Sequence, residues 1–233
     1  MIVRPGRHYL LLEYVAMCTH CRPVGVVGAS GCAGGRRRPR GGTPGILWLY
    51  VPFVAVTNNA VIGMALRYIE ANPEERDVLR SLIVLALHGP PIVTPTTTPA
   101  HVTCRAALVS PDWRVLQTRG RAARDWRLPG GHVDAADQSL LGAALRHLAT
   151  QAEVEANALI PFSVLPVDVT PHPVEAVPAR DEPEHVHYEA TFLLRVADRA
   201  LGQPTSPGVA WRWVSVADLR GKLGDKLRSE AKA

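Results

Sequence analysis

The sequence predicts an α+β fold or a mixed-sheet sandwich, preceded by a short helical leader. Three observations carry that reading. Of the 233 residues, 47% are apolar and 20% charged, enough to build a core and too little charge for wholesale disorder. From Met64 onward, strand-like and helix-like segments follow one another without a regular βαβ alternation. Residues 101–110 and 114–118 are apolar and β-branched on either side of Pro111-Asp112, which reads as an antiparallel hairpin.

The first sixty residues differ from the rest. The net charge of +5 comes from them: residues 1–50 hold seven Arg and one Glu, whereas residues 51–233 hold 19 basic and 20 acidic side chains. The bulk of the chain is near neutral, which argues against a nucleic-acid-binding domain. No stretch of 18 uninterrupted apolar residues marks a membrane span. Four cysteines in a chain this long are no disulfide scaffold. Cys18, Cys21 and Cys32, a Gly-rich stretch, the Arg36-Arg37-Arg38-Pro39-Arg40 run and an apolar run over 46–56 leave several readings open. These are a secretory signal, a weak anchor, a zinc site on Cys18, His20, Cys21 and Cys32, and a poorly ordered or spurious leader. The last is the expectation for residues 1–63, with Met64 as a candidate start.

Residues 64–71 are a short helix. Asn72-Pro73-Glu74-Glu75 then reads as a helix start, with Asn as N-cap and Pro at the first helical position. Val78, Leu79, Leu82, Ile83 and Ala86 form its apolar stripe, and Gly89-Pro90-Pro91 stops it. Residues 91–99, rich in Pro and Thr, form a linker, so that 64–99 is a helical leader and 100–228 the main domain. Residues 139–151 are helical, with Leu141, Ala144, Leu145 and Leu148 on one face. Residues 162–170, 185–196 and 210–214 are strands. Ser215 is read as the cap of a last helix ending near Arg228.

Residues 126–154 carry the chemistry. They contain Leu128-Pro129-Gly130-Gly131, an acid at Asp137, Ala143-Ala144 and Arg146. Further support lies in His101-Val102-Thr103, Asp168, His172-Pro173, Glu184-His185-Val186-His187-Tyr188 and residues 211–219. Together these resemble the Nudix hydrolase superfamily, whose loop–helix–loop signature is the Nudix box, over about residues 100–220. The resemblance implies a Nudix-like α/β/α sandwich. It also implies hydrolysis of a nucleoside diphosphate-linked or related diphosphate substrate, a small-molecule partner rather than a nucleic acid or membrane, and a cytoplasmic location.

In that family a helix presents three glutamates from Arg-Glu-x-x-Glu-Glu on one face, where they hold Mg²⁺. The metal neutralises the diphosphate and activates water. Here Arg146 is the Arg, the glutamate positions hold His147, Thr150 and Gln151, and the final Gly of the box is Glu153. Neutral imidazole, hydroxyl and amide are poor Mg²⁺ ligands. Glu153 lies two residues past Gln151, about 200° around a helix, and does not replace the missing ligand. Arg146 is left without its glutamate partner.

The resemblance therefore places catalysis at Arg146, His147 and Gln151. It places substrate contacts at Trp126, Gly130, Gly131, His132, His185, His187 and Glu189, and candidate metal oxygens at Asp134 and Asp137. The implied cofactor is Mg²⁺ or Mn²⁺ if the chain is active, and none if it is not. Independently, His185, His187 and Glu189 alternate onto one strand face. Such a set either binds a transition metal with help from His132, His147 or His172, or lines a polar pocket. Arg119, Arg121, Arg124 and Arg127 form a loop cluster suited to phosphate or to solvent. Cys104 reads as a buried small hydrophobe. Three functions follow: a hydrolase, a nucleotide or phosphometabolite binding module that has lost its chemistry, and a structural product without a ligand.

Overall fold

The computed structural model describes residues 55–120, 125–196 and 210–232. The expectations for residues 1–54, and for Arg121 and Arg124, lie outside them.

Two helices open the described chain. Helix α1 (Asn58–Ala71) starts six residues before Met64, with Thr57 as N-cap accepting from the Ala60 N–H. Asn58, which reads in the sequence as an interruption, is instead a fastener. Its Nδ2 donates to the carbonyls of Ala86 and Pro90, and its Oδ1 accepts from the Ile92 N–H. Val61, Met64, Ala65 and Tyr68 make the buried stripe at helical spacing. Asn72 closes α1 rather than opening the next helix: its side chain donates to the Tyr68 carbonyl and makes no N-cap bond. A single 3₁₀ turn at Pro73–Glu75 leads directly into α2 (Arg76–His88), leaving no room for an extended cap residue.

Seven strands follow: β1 (Ala100–Val109), β2 (Arg114–Thr118), β3 (Gly130–His132), β4 (Leu159–Pro161), β5 (Asp168–Val174), β6 (His185–Val196) and β7 (Trp211–Ser215). The sheet runs β4-β6-β1-β2-β7, with β3 on β1 and β5 on β6. It is mixed, because β1 and β6 pair in parallel along ten residues while every other pair is antiparallel. The expected hairpin is β1–β2. Of the expected strand over 162–170 only 168–170 is strand, the start of β5; β4 precedes the span, and the two pair with opposite ends of β6.

The period-2 alternation of β1 and β6 sorts the core into two layers. On one face, Val102, Cys104, Ala106, Leu108, Ala190, Phe192 and Leu194 pack with α1, α2 and helix α3 (Leu140–Ala152). On the other, Ala107, Val109, Val115 and Leu193 pack with Leu227 of helix α4 (Gly221–Glu230). This is the α/β/α sandwich with its mixed sheet and leading helices. Ser215 caps a 3₁₀ turn at Val216–Asp218, and α4 begins only after it. Among the described residues no helix is long and apolar enough to cross a membrane.

The second face is apolar only along half its length. Toward the start of β1 and β6 the same alternation places His101, Thr103 and Arg105 beside His185, His187 and Glu189. Parallel register aligns His101 with His187 and Thr103 with Glu189. Antiparallel register brings His132 of β3 to Thr103, and His172 of β5 to His187. The sheet thus gathers residues far apart in sequence into one polar field.

Candidate functional site

Helix α3 sits against the opposite side of the β3 loop. Ser139 is its N-cap, accepting from the Gly142 N–H at 2.9 Å. Leu140, Ala143, Ala144 and Leu148 are buried in the core, each leucine contributing about 1.5–3 kcal/mol of apolar burial. Because helical positions four apart share a face, docking this stripe turns His147 and Gln151 toward β3.

There the two side chains are fully engaged. Gln151 Nε2 donates to the Gly130 carbonyl at 2.8 Å, and Gln151 Oε1 accepts from the Gly130 N–H at 3.1 Å. His147 Nε2 lies 2.9 Å from the His132 carbonyl oxygen, and its Nδ1 lies 3.3 Å from Gln151 Nε2. One assignment satisfies all four contacts: His147 carries its proton on Nε2, and Gln151 Nε2 donates to Nδ1. Burial pushes the His147 imidazole below its ordinary pKa, opposed by its bond to the His132 carbonyl, so the neutral form is favoured. Thr150 Oγ1 turns back onto its own helix, donating to the carbonyls of Arg146 and His147.

This packing explains both glycines. A Cβ at Gly130 would stand 2.6 Å from the Cys104 carbonyl oxygen, and one at Gly131 would stand 2.8 Å from His147 Cε1. The loop lies too close to β1 at Gly130, and to α3 at Gly131, for side chains.

Arg146 has a partner, contrary to the sequence expectation. Its Nε donates to Asp137 Oδ1 at 2.9 Å and its Nη2 to Asp137 Oδ2 at 2.8 Å, a bidentate pair. Nη2 also donates to the His132 carbonyl. Asp137 Oδ2 accepts in addition from the Asp134 N–H at 2.7 Å. Burial alone would raise the Asp137 pKa, but the Arg146 and Asp134 hydrogen bonds lower it. The acid thus braces the loop before α3, and both its oxygens are committed to protein donors. Asp134 is exposed, with Oδ1 accepting from the Ala136 N–H. Glu153 is the left-handed C-cap of α3, with φ 56°, which is why a glycine suits that position.

The residues at 147, 150 and 151 do not fit Mg²⁺. They are neutral, and their polar atoms are spent on backbone partners, whereas that ion takes carboxylate and water oxygens. Asp137 does not make up the deficit.

Across the loop from α3 lies a cavity of about 200 Å³, lined by Thr103, Arg105, Arg127, Leu128, Gly130, Gly131, His132, His187 and Glu189. Five residues expected at a substrate site, Gly130, Gly131, His132, His187 and Glu189, line it. Arg127, from the arginine cluster suited to phosphate or solvent, borders it, and so does Arg105, which the sequence reading does not mark. Their signal was weak, since arginines are common on strands and loops. Arg105 forms an ion pair with Glu189. Burial raises the Glu189 carboxyl above its ordinary range, and Arg105 opposes the rise. Trp126 is placed elsewhere: its ring lies under the guanidinium groups of Arg119 and Arg212 at 4.8 and 4.6 Å. His185 lies behind His187, buried. A larger cavity of about 440 Å³, beside Val56, Asn58, Val93 and Val133, holds Asp134 as its one charged residue. Cys104 is fully buried, and burial raises its thiol pKa, so it is not a nucleophile.

A mixed sheet between helices, with a Gly-Gly loop braced by a helix, defines a Nudix-type architecture. The family model described as the NUDIX domain matches residues 100–232. The chain belongs to the NUDIX domain family. Similar solved structures include an Ap4A hydrolase of C. elegans, 16% identical over 56% of this chain and 96% of that one, with a TM-score of 0.41. The dihydroneopterin triphosphate pyrophosphohydrolase of E. coli is 17% identical over 55% of this chain and 92% of that one, with a TM-score of 0.41. The NUDIX domain of Shewanella oneidensis NrtR, complexed with ADP ribose, is 16% identical over 64% of this chain and 97% of that one, with a TM-score of 0.41. No curated protein matches the chain.

Proposed function

We propose that this chain is a NUDIX-fold binding module for a nucleotide or related diphosphate metabolite, and that its box no longer performs Mg²⁺-dependent hydrolysis. One observation carries the reading: His147 and Gln151, at positions where the family places metal carboxylates, are hydrogen-bonded to the backbone of His132 and Gly130. What the helix would give to a metal it gives to the loop. A diphosphate is the ligand class that suits the remaining groups. Arg127 offers fixed charge and forked donors at the cavity, and Arg105 does so while paired with Glu189. About 200 Å³ is less than a drug-sized ligand fills, so the cavity takes the phosphate portion and the rest lies outside. The reading includes a cytoplasmic location and no nucleic-acid partner.

The second reading is hydrolysis of the same ligand class. It rests on Glu189, a buried carboxyl in the cavity with a raised pKa, the property of a general base.

One experiment separates them. The full chain is titrated with a panel of nucleoside diphosphate-linked compounds. Melting temperature and product release are followed with no added metal, with Mg²⁺ and with Mn²⁺. Binding without turnover supports the module, with a shift that grows as ligand exceeds Kd. Turnover by the unmodified chain overturns it in favour of the hydrolase. A panel that neither binds nor turns over overturns both. A variant carrying His147→Glu, Thr150→Glu and Gln151→Glu serves as the control for an intact cleft.

A further inference from the structure

Behind His187 the polar field becomes a cluster of imidazoles. His101 on β1 and His185 and His187 on β6 each bring a ligand nitrogen within 4.8 Å of the other two. His185 Nε2 and His187 Nε2 are 3.0 Å apart. Two nitrogens on one tetrahedral ion, with bonds of about 2.0–2.1 Å, stand about 3.3 Å apart, close to that spacing.

Two of the three rings are already oriented for a metal. His101 Nδ1 lies 3.0 Å from the Thr97 carbonyl oxygen and His185 Nδ1 lies 2.8 Å from that of Pro183. A carbonyl only accepts, so both rings carry their proton on Nδ1 and turn an Nε2 lone pair inward. Metal-binding histidines are oriented by such outer hydrogen bonds. The lone pair of His101 is the sharper signal. The residue is 1% exposed and its Nε2 has no hydrogen-bond partner, although buried polar atoms are rarely left so. Without an ion His185 Nε2 accepts from the His187 Nε2–H, so it is the His101 lone pair that is left without an electron-poor partner.

We propose that His101, His185 and His187 form a binding site for a divalent transition ion of the Zn²⁺ class, distinct from the family's carboxylate positions on α3. Imidazole suits zinc and its neighbours and does not suit Mg²⁺. Three protein ligands leave a fourth tetrahedral position. His187 and His132 line the cavity, and the His132 ring lies 5.1 Å from that of His101 and 5.2 Å from that of His187. The fourth position is therefore filled by His132 or by an oxygen entering from the cavity. The site does not depend on the binding-module reading, because its test reads the metal and no substrate.

The test uses the full chain, stripped with a chelator and titrated with Zn²⁺ and, separately, with Co²⁺ as an optical probe. Cys18, Cys21 and Cys32 offer a competing thiolate set in the sequence, so a Cys18→Ser/Cys21→Ser/Cys32→Ser background is run beside it. The expected result is one equivalent bound in both backgrounds. The Co²⁺ spectrum should show tetrahedral bands without thiolate charge transfer. Affinity should fall at least a hundredfold in His185→Ala/His187→Ala and stay unchanged in the control His88→Ala. The spectrum of the unsubstituted chain decides the matter even if the double variant does not fold. Absence of a bound equivalent, a thiolate-type spectrum alone, or binding lost in the Cys→Ser background would overturn the site.

Discussion

The side-chain amide of Gln151 pairs with both backbone groups of Gly130, giving a hydrogen to the carbonyl at 2.8 Å and taking one from the N–H at 3.1 Å. The helix and the loop of the box are joined as two strands of a sheet would be. A carboxylate accepts and does not donate, so Gln151→Glu keeps one of these bonds and sets an anion against the Gly130 carbonyl. The expected loss is about 1–3 kcal/mol of stability, the cost of a buried group deprived of its partner. Urea unfolding of the two proteins without metal measures it. An unchanged midpoint would mean that the amide pairing is idle.

Arg146 and Asp137 are coupled in the same unit. Asp137→Asn removes the charge and one acceptor from the bidentate pair while keeping its shape. Asp137 is buried and Arg146 partly exposed, so solvent screening discounts the charge term and about 1–3 kcal/mol is expected to be lost. A double-mutant cycle with Arg146→Met should return a coupling energy of the same sign. Additive effects would show that the two act independently.

How far the sequence reaches can be judged from these residues. The existence of α3, the β1–β2 hairpin and β6 was legible because their periods of 3.6 and 2 are local facts, although the buried face of α3 runs through Leu140 and Ala143 rather than Leu141 and Leu145. The departure at His147, Thr150 and Gln151 was legible too, since it needs only the spacing of the motif. What those residues do instead was not. The Gln151–Gly130 bond spans 21 positions and depends on how closely α3 approaches β3. Arg146 reads as unpaired for a similar reason: its partner lies nine positions earlier, before the helix. His101 drew no attention as a ligand because only the parallel register of β1 on β6 sets it beside His187. The start of α1 was hidden by Asn58, whose side-chain partners at Ala86, Pro90 and Ile92 lie on another helix and the turn after it.

Acid should unfold the protein partly through Glu75. This buried carboxyl sits beneath α4, where Lys222 and Lys226 both reach it and the Tyr68 hydroxyl donates to it at 2.9 Å. Burial by itself would raise its pKa, but the hydrogen bonds from Lys222, Lys226 and Tyr68 bring it below the ordinary glutamate value. A depressed folded-state pKa means that the folded protein holds the proton less tightly than the unfolded chain. The stabilisation is therefore complete above the unfolded value of about 4.3 and disappears as pH falls through the lower folded value. Glu75→Gln should be less stable than the parent at pH 7, and the gap should close toward pH 3. Chemical denaturation at a series of pH values tests this, and a gap constant across the range would assign the loss to packing rather than ionisation.

Cys104 should be inert in the folded state. It lies fully buried in β1, and burial raises its thiol pKa, so little thiolate forms and no reagent reaches it. In the Cys18→Ser/Cys21→Ser/Cys32→Ser background, a disulfide reagent should label no thiol until denaturant is added, and then one. Fast labelling of the native protein would show that β1 opens locally.

Gly130 and Gly131 should resist alanine for different reasons. At Gly130 the new methyl meets the Cys104 carbonyl oxygen at 2.6 Å and the Arg105 Cα at 3.0 Å, which are backbone atoms of the central strand and cannot step aside. At Gly131 it meets a side-chain ring, His147 Cε1 at 2.8 Å, which can move at the expense of the bond to the His132 carbonyl. Gly130→Ala is therefore expected to cost about 1–3 kcal/mol or more by overpacking, while Gly131→Ala adds the strain of its φ of 158° to the ring clash. Gly131→Ala should be rescued in part by His147→Ala, because removing the ring removes the clash. The four proteins of that cycle, compared by urea midpoint, give the answer directly. If Gly131→Ala costs the same with and without the imidazole, the ring is not what reserves that position for glycine.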